Sequence, residues 1–148
     1  MVYLMQLITA FLGSLGFAMV FHVRKERLLP ASLGGLLAWG AYLLMGFVSD
    51  QDVVRYFFAA VALTVYAETM ARVVKCPATR FLVTASIPLV PGGSLYKTMQ
   101  FFMQNDLDAF SRQALTTVLL AVAIAVGMLF PTSVFQLLRR VRTQERHI

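Results

Sequence analysis

Charge is scarce in this sequence. Only 14% of its 148 residues are Asp, Glu, Lys or Arg, whereas 59% are hydrophobic and the mean hydropathy is +0.73. A soluble domain is about 45–50% apolar and about a quarter charged, so a water-soluble globule of this size cannot hide so much apolar surface. Cysteine is nearly absent as well. Cys76 stands alone, which excludes an intrachain disulfide. The histidines, His22 and His147, are far apart in sequence, and no Cys/His cluster suggests a metal site. A glycine-rich phosphate loop ending in Lys-Ser or Lys-Thr is missing, so no nucleotide cofactor is implied. No helical Ser/His or Asp/Asp pair supports an intramembrane enzyme. No basic residue precedes the first apolar stretch, which is therefore expected to persist as a helix rather than to serve as a cleaved leader.

Long apolar runs are what the chain does have. Five can be drawn, at about 2–23, 28–48, 53–74, 81–103 and 114–138, leaving a short basic tail at 139–148. Each is near or above the ~20 residues needed to cross the hydrocarbon as a helix. The expectation is an all-α integral membrane bundle of five transmembrane helices in a single domain. The loops orient it. Arg24, Lys25 and Arg27, then Arg72, Lys75 and Arg80, then Arg139, Arg140, Arg142 and Arg146 all fall on one side. Asp50, Asp52, Asp106 and Asp108 fall on the other, with only Arg55 and Arg112 near them. By the positive-inside rule the basic side is cytoplasmic, which puts the N-terminus outside and the C-terminus inside. The net charge of +6 is thus a property of short loops facing membrane lipid, not a surface for nucleic acid. Ala10, Ser14 and Ala18, and likewise Ala121 and Ala125, recur at four-residue spacing and predict close helix packing.

The fourth run carries the most information. Pro88, Pro91, Gly92 and Gly93 fall near its middle. Proline removes a backbone donor and clashes with the preceding turn, so the helix is expected to break here. Irregular backbone at membrane depth is tolerated only against protein or a water-filled cavity. A half-helix starting after Gly93 would present unpaired N–H groups and partial positive charge, a setting that favours carboxylates. Ser94 can cap this end, Tyr96 can donate a hydroxyl, and Lys97 lies about one turn beyond. Broken helices of this kind form substrate sites in many secondary transporters. The plainer alternative is a packing kink, with Lys97 reaching outward to the membrane surface.

In the third run Thr64, Glu68 and Arg72 share one helical face. Glu68 is either a proton carrier, a counter-ion for substrate, or the partner of Arg72 in a helix-end ion pair. His22 sits at the cytoplasmic edge, where it can titrate or simply hydrogen-bond. Packing accounts for Trp39, and Cys76-Pro77 for a loop turn.

Two stretches, Gly16-Phe-Ala-Met-Val-Phe-His-Val23 and Ile87-Pro-Leu-Val-Pro-Gly-Gly-Ser-Leu-Tyr96, together resemble the small subunit of the threonine/serine exporter (ThrE-type) family, over nearly the whole chain. The resemblance implies a half-transporter in the bacterial inner membrane, exporting threonine and serine or, in a split branch, a dicarboxylate such as succinate. It also implies a larger ThrE-type membrane subunit as partner and transport driven by the ion-motive force. No family substrate residues are carried over with it. The substrate-binding roles expected for Pro88, Pro91, Gly92, Gly93, Ser94, Tyr96 and Lys97 rest on the residues themselves. The competing expectation is a scaffold subunit that binds no solute.

Overall fold

A computed structural model describes the backbone of residues 1–144 and the side chains of residues 1–137. Of the expected tail, 139–148, the arginine side chains and His147 lie outside the described residues. The described chain forms α1 (Val2–Val20), α2 (Lys25–Met45), α3 (Asp52–Val73), α4 (Thr79–Ala85), a 3₁₀ turn (Ile87–Leu89), α5 (Gly92–Met103) and α6 (Leu107–Gln144). No strand occurs among the described residues. Helices α1, α2 and α3 and the stretch Leu107–Leu137 of α6 are long and apolar enough to cross a membrane. The expected fourth run is instead the pair α4 and α5 with the 3₁₀ turn between them.

Polarity is arranged as lipid solvent requires. Leu4, Met5, Ile8 and Leu12 of α1, and Val118, Val122, Val126 and Phe130 of α6, point outward. Ser14, Ser32, Thr64, Glu68, Thr84 and Thr117 are buried. Small residues build the centre. Ala38, Ala59, Ala60, Leu63, Ala85 and Leu89 form one cluster, and Ala18, Ala31, Ala67, Ala71 and Phe81 a second nearer the basic end. The approach is closest where glycine permits it. A Cβ on Gly127 of α6 would lie 2.6 Å from the Phe57 carbonyl oxygen and 2.9 Å from Ala60 Cβ of α3, and one on Gly34 would lie 2.7 Å from Ala85 Cβ. Ala10, Ser14 and Ala18 are the buried residues of α1. The alanine stripe expected on α6 is corrected, because Ala121 and Ala125 face outward while Thr117, Leu120, Ala123 and Gly127 face inward.

Several boundaries also differ from the sequence expectation. Helix α1 stops at Val20, three residues before Val23, because His22 takes a left-handed conformation (φ 53°). There the Val23 N–H donates to the Ala18 carbonyl at 3.0 Å and the His22 N–H to Met19 at 3.0 Å. That is the doubled closure of a Schellman end, usually supplied by glycine. Asn105 (φ 55°) ends α5 in the same way, with Asn105 N–H on Phe102 and Asp106 N–H on Phe101, and Lys75 (φ 50°) ends α3 with Cys76 N–H on Ala71. Helix α2 begins at Lys25 rather than Leu28, and α6 begins at Leu107 rather than Ala114. Asp106 Oδ1 accepts the Ala109 N–H at 3.0 Å, which starts α6 early.

At the acidic end one cation is fully employed. The Arg55 guanidinium donates to the Ser49 carbonyl at 2.7 Å and reaches the Gly46 carbonyl at 3.5 Å. It also pairs with Asp50 at 3.4 Å and Asp52 at 3.6 Å. Arg55 therefore closes the C-terminal end of α2, where carbonyls lack helical partners.

Candidate functional site

The break in the fourth run follows from its residues. Val90 is extended, as a residue before proline must be. Pro91 has φ −77° and ψ 54°, and the Gly92 N–H bonds the Val90 carbonyl at 2.7 Å, an inverse γ-turn centred on Pro91. Helix α5 then starts at Gly92 with no side chain capping it. Ser94 has another use. Its hydroxyl accepts from Gln113 Nε2 at 2.8 Å and shares a 2.8 Å hydrogen bond with the Thr117 hydroxyl, while Thr98 and Thr117 share one of 3.1 Å. This polar seam fastens α5 to α6, and Phe102 packs beside Phe110 near the connecting loop.

The seam also gives the position of the break along α6. Ser94 lies beside Thr117, ten residues into α6. At 1.5 Å per residue that is about 15 Å along the helix. The N-terminus of α5 thus sits about a third of the way along the 31-residue apolar stretch Leu107–Leu137. Its glycines face outward, since a Cβ on Gly92 or Gly93 would meet nothing within 4 Å. Tyr96 and Lys97 are exposed too. Gly93 and Lys97, four apart, lie on one face. Pro88 is separate from this group and points inward, toward α1 and α2.

Glu68 and Arg72 belong to a second place. A pocket of about 630 Å³ opens at the basic end, where the ends of α3 and α4 meet the last third of α6. Glu68, Arg72, Lys75, Thr79, Thr132 and Gln136 supply its polar lining. Glu68 is 8% exposed and has no ion-pair partner among the described residues. Arg72 turns its guanidinium over the Phe135 ring, 4.5 Å from the centroid, a favourable cation–π placement. Two cations and one carboxylate thus share a cavity large enough for a small metabolite. His22, weighed as a titrating group, serves as the left-handed residue that ends α1, and lies with Arg80 in a neighbouring groove of about 390 Å³.

A third place was not read from the sequence. A recess of about 230 Å³ lies between α1, α2 and the 3₁₀ turn, lined by Gln6, Thr9, Ala10, Trp39, Ile87 and Pro88. Trp39 stacks on Tyr42 with ring centroids 4.8 Å apart, and Tyr42 in turn meets Tyr56 at 4.9 Å. The available signal was Gln6 itself, since an amide inside an apolar run is costly unless hydrogen-bonded.

A family model described as Threonine/Serine exporter, ThrE, matches residues 6–134, and the chain belongs to that family. No curated protein and no solved structure matches it. A multi-pass membrane exporter domain agrees with the apolar exterior and with the four described helices long and apolar enough to cross a membrane.

Proposed function

We propose that this member of the threonine/serine exporter family is one half of a secondary exporter of small carboxylate-bearing metabolites, set in the bacterial inner membrane beside a larger membrane subunit. Threonine, serine and a dicarboxylate such as succinate are the solutes in view. The observation that carries the reading is the open face of α5. That helix packs on α6 and has no more than a weak contact elsewhere. Its uncapped N-terminus, the bare backbone at Gly92 and Gly93, and Lys97 all face away from the rest of the chain. A cation on an uncovered face of an apolar segment is costly in lipid. A second subunit laid against α5 would turn that cost into a passage lined with positive potential, suited to a carboxylate.

The pocket at the basic end is the cytoplasmic entrance in this reading. Arg72 and Lys75 draw the carboxylate, and Glu68 either meets a substrate ammonium or carries the coupling proton. The positive-inside rule favours this orientation, because Arg24, Lys25, Arg27, Arg72, Lys75 and Arg80 cluster at the same end. The α4–turn–α5 segment makes the fifth crossing. A partner that also crosses an odd number of times, from the other side, would complete an inverted pair. The chain works as a carrier and makes no covalent change in its solute.

Replacing Lys97 with Met tests the site. Export should fall while the chain still accumulates in the membrane and co-purifies with its partner. Unchanged export removes Lys97 from the path. The open face of α5 would equally suit a scaffold subunit. In that case Lys97→Met would act only by releasing the partner, which co-purification would reveal.

A further inference from the structure

The basic end of the chain carries two openings, and α4 stands between them. Thr79 lines both the pocket that holds Glu68 and the neighbouring groove of about 390 Å³. That groove lies between the end of α1 and α4. His22, Thr79 and Arg80 give it polar groups, and Phe21 and Val83 give it apolar ones. Thr84 lines it too, but its hydroxyl is spent on the Arg80 carbonyl at 3.0 Å.

The two kinds of surface are layered. Arg80, Thr79 and His22 sit at the ends of α4 and α1. Val83 follows Thr79 by one turn, so it lies on the same face of α4, deeper in the apolar segment. Phe17 stands one turn deeper than Phe21 on α1, with the ring centroids 6.2 Å apart. Phe21 is 52% exposed, Val83 45% and Phe17 42%. Cations thus border an apolar wall that opens outward.

The charge there is one-sided. No carboxylate lines the groove. Glu68 opens into the other pocket, and Glu26, near in sequence, is not among the lining residues. Arg80 has no ion-pair partner among the described residues. Such a groove fits an anionic amphiphile. A phosphate would accept charge-assisted hydrogen bonds from the Arg80 guanidinium, and hydrogen bonds from the Thr79 hydroxyl and a His22 ring N–H. An acyl chain would cover Phe21, Val83 and Phe17. A zwitterionic head would bring an ammonium that finds no carboxylate. A soluble phosphate would leave the apolar wall uncovered. Basic pockets between membrane helices bind anionic lipid heads on these grounds.

We propose that the groove between α1 and α4 binds one anionic phospholipid of the surrounding membrane, with its phosphate on Arg80, Thr79 and His22 and an acyl chain along Phe21 and Val83. The site does not depend on what the chain exports.

Native mass spectrometry of the full chain in detergent, with phosphatidylglycerol and phosphatidylcholine added in equal amounts, would count the lipids retained. One phosphatidylglycerol should be held at least roughly tenfold more tightly than phosphatidylcholine, the effect expected of a hydrogen bond to a charged group. Arg80→Gln should remove most of that preference. Arg24→Gln, also exposed but outside the groove, should change it little. Thr79→Ala, at an exposed position, should weaken retention as well and serves if Arg80→Gln fails to accumulate. Equal retention of the two lipids would overturn the proposal. So would equal losses in Arg80→Gln and Arg24→Gln, the mark of a basic surface without a site. Displacement of the lipid by an equal concentration of glycerol phosphate, a head without acyl chains, would also overturn it and leave a site for soluble phosphate.

Discussion

Glycines 93 and 127 separate what this chain needs in order to fold from what it offers to something outside it. Gly127 lies where α6 presses on α3, and a Cβ there would come within 2.6 Å of the Phe57 carbonyl oxygen and 2.9 Å of Ala60 Cβ. Both obstacles are backbone or Cβ atoms, which cannot swing aside. Gly127→Ala must therefore push the helices apart, at the usual overpacking cost of about 1–3 kcal/mol. Gly93→Ala meets nothing within 4 Å. It removes a glycine from a helix, a change that ranges from neutral to a gain of up to about 1 kcal/mol. Unfolding midpoints of the purified chain in detergent would measure both. Export should reverse the order for the larger variant Gly93→Leu. Stability should stay near that of the parent while export falls by roughly tenfold or more, since each lost 1.4 kcal/mol of interaction is already a factor of ten. The bulk can only obstruct what lies beyond this chain, either solute or partner. Normal export by a stable Gly93→Leu protein would refute the assignment of the α5 face to the transport path.

Three further outcomes follow. Cys76 is the sole cysteine and lines the basic pocket, so a membrane-impermeant maleimide should label it in inside-out vesicles and not in intact cells; the opposite pattern reverses the topology. Arg55→Leu removes the bonds that close α2 and both ion pairs at that end, and should lower stability by about 1–3 kcal/mol, read as an earlier thermal transition with little change in export per folded molecule. Glu68→Gln should slow export driven by an imposed pH gradient and leave membrane insertion intact; equal rates would remove Glu68 from coupling and from the substrate ammonium.

The membrane character and the helix break were legible because each rests on residue type alone. Apolar runs so long in a chain with so few charges point to lipid, and four of them form helices long and apolar enough to cross a membrane, whereas a Pro88–Pro91–Gly92–Gly93 sequence cannot continue a helix. The helix ends were less legible because His22, Lys75 and Asn105 occupy left-handed positions where glycine is the usual sign. The inward face of α6 was misread because alanine packs equally well against lipid and protein. Ala121 and Ala125 mark nothing, whereas the single Gly127 marks the contact. At the site, the sequence named Glu68 and Arg72 as a pair, but Phe135, sixty-three residues on, decides where Arg72 lies. Trp39 was explained by packing, and it does stack on Tyr42. Its unpaired Nε1 became visible only once α1 and the 3₁₀ turn were placed around it.

The half-exporter reading is tested most directly by export from cells carrying this chain alone, the larger subunit alone, or both, with threonine, serine and succinate measured in the medium. The account predicts export only when both are present, with the solute that appears outside naming the substrate. Export by this chain alone would contradict it and make the chain a self-sufficient transporter, with a second copy covering α5.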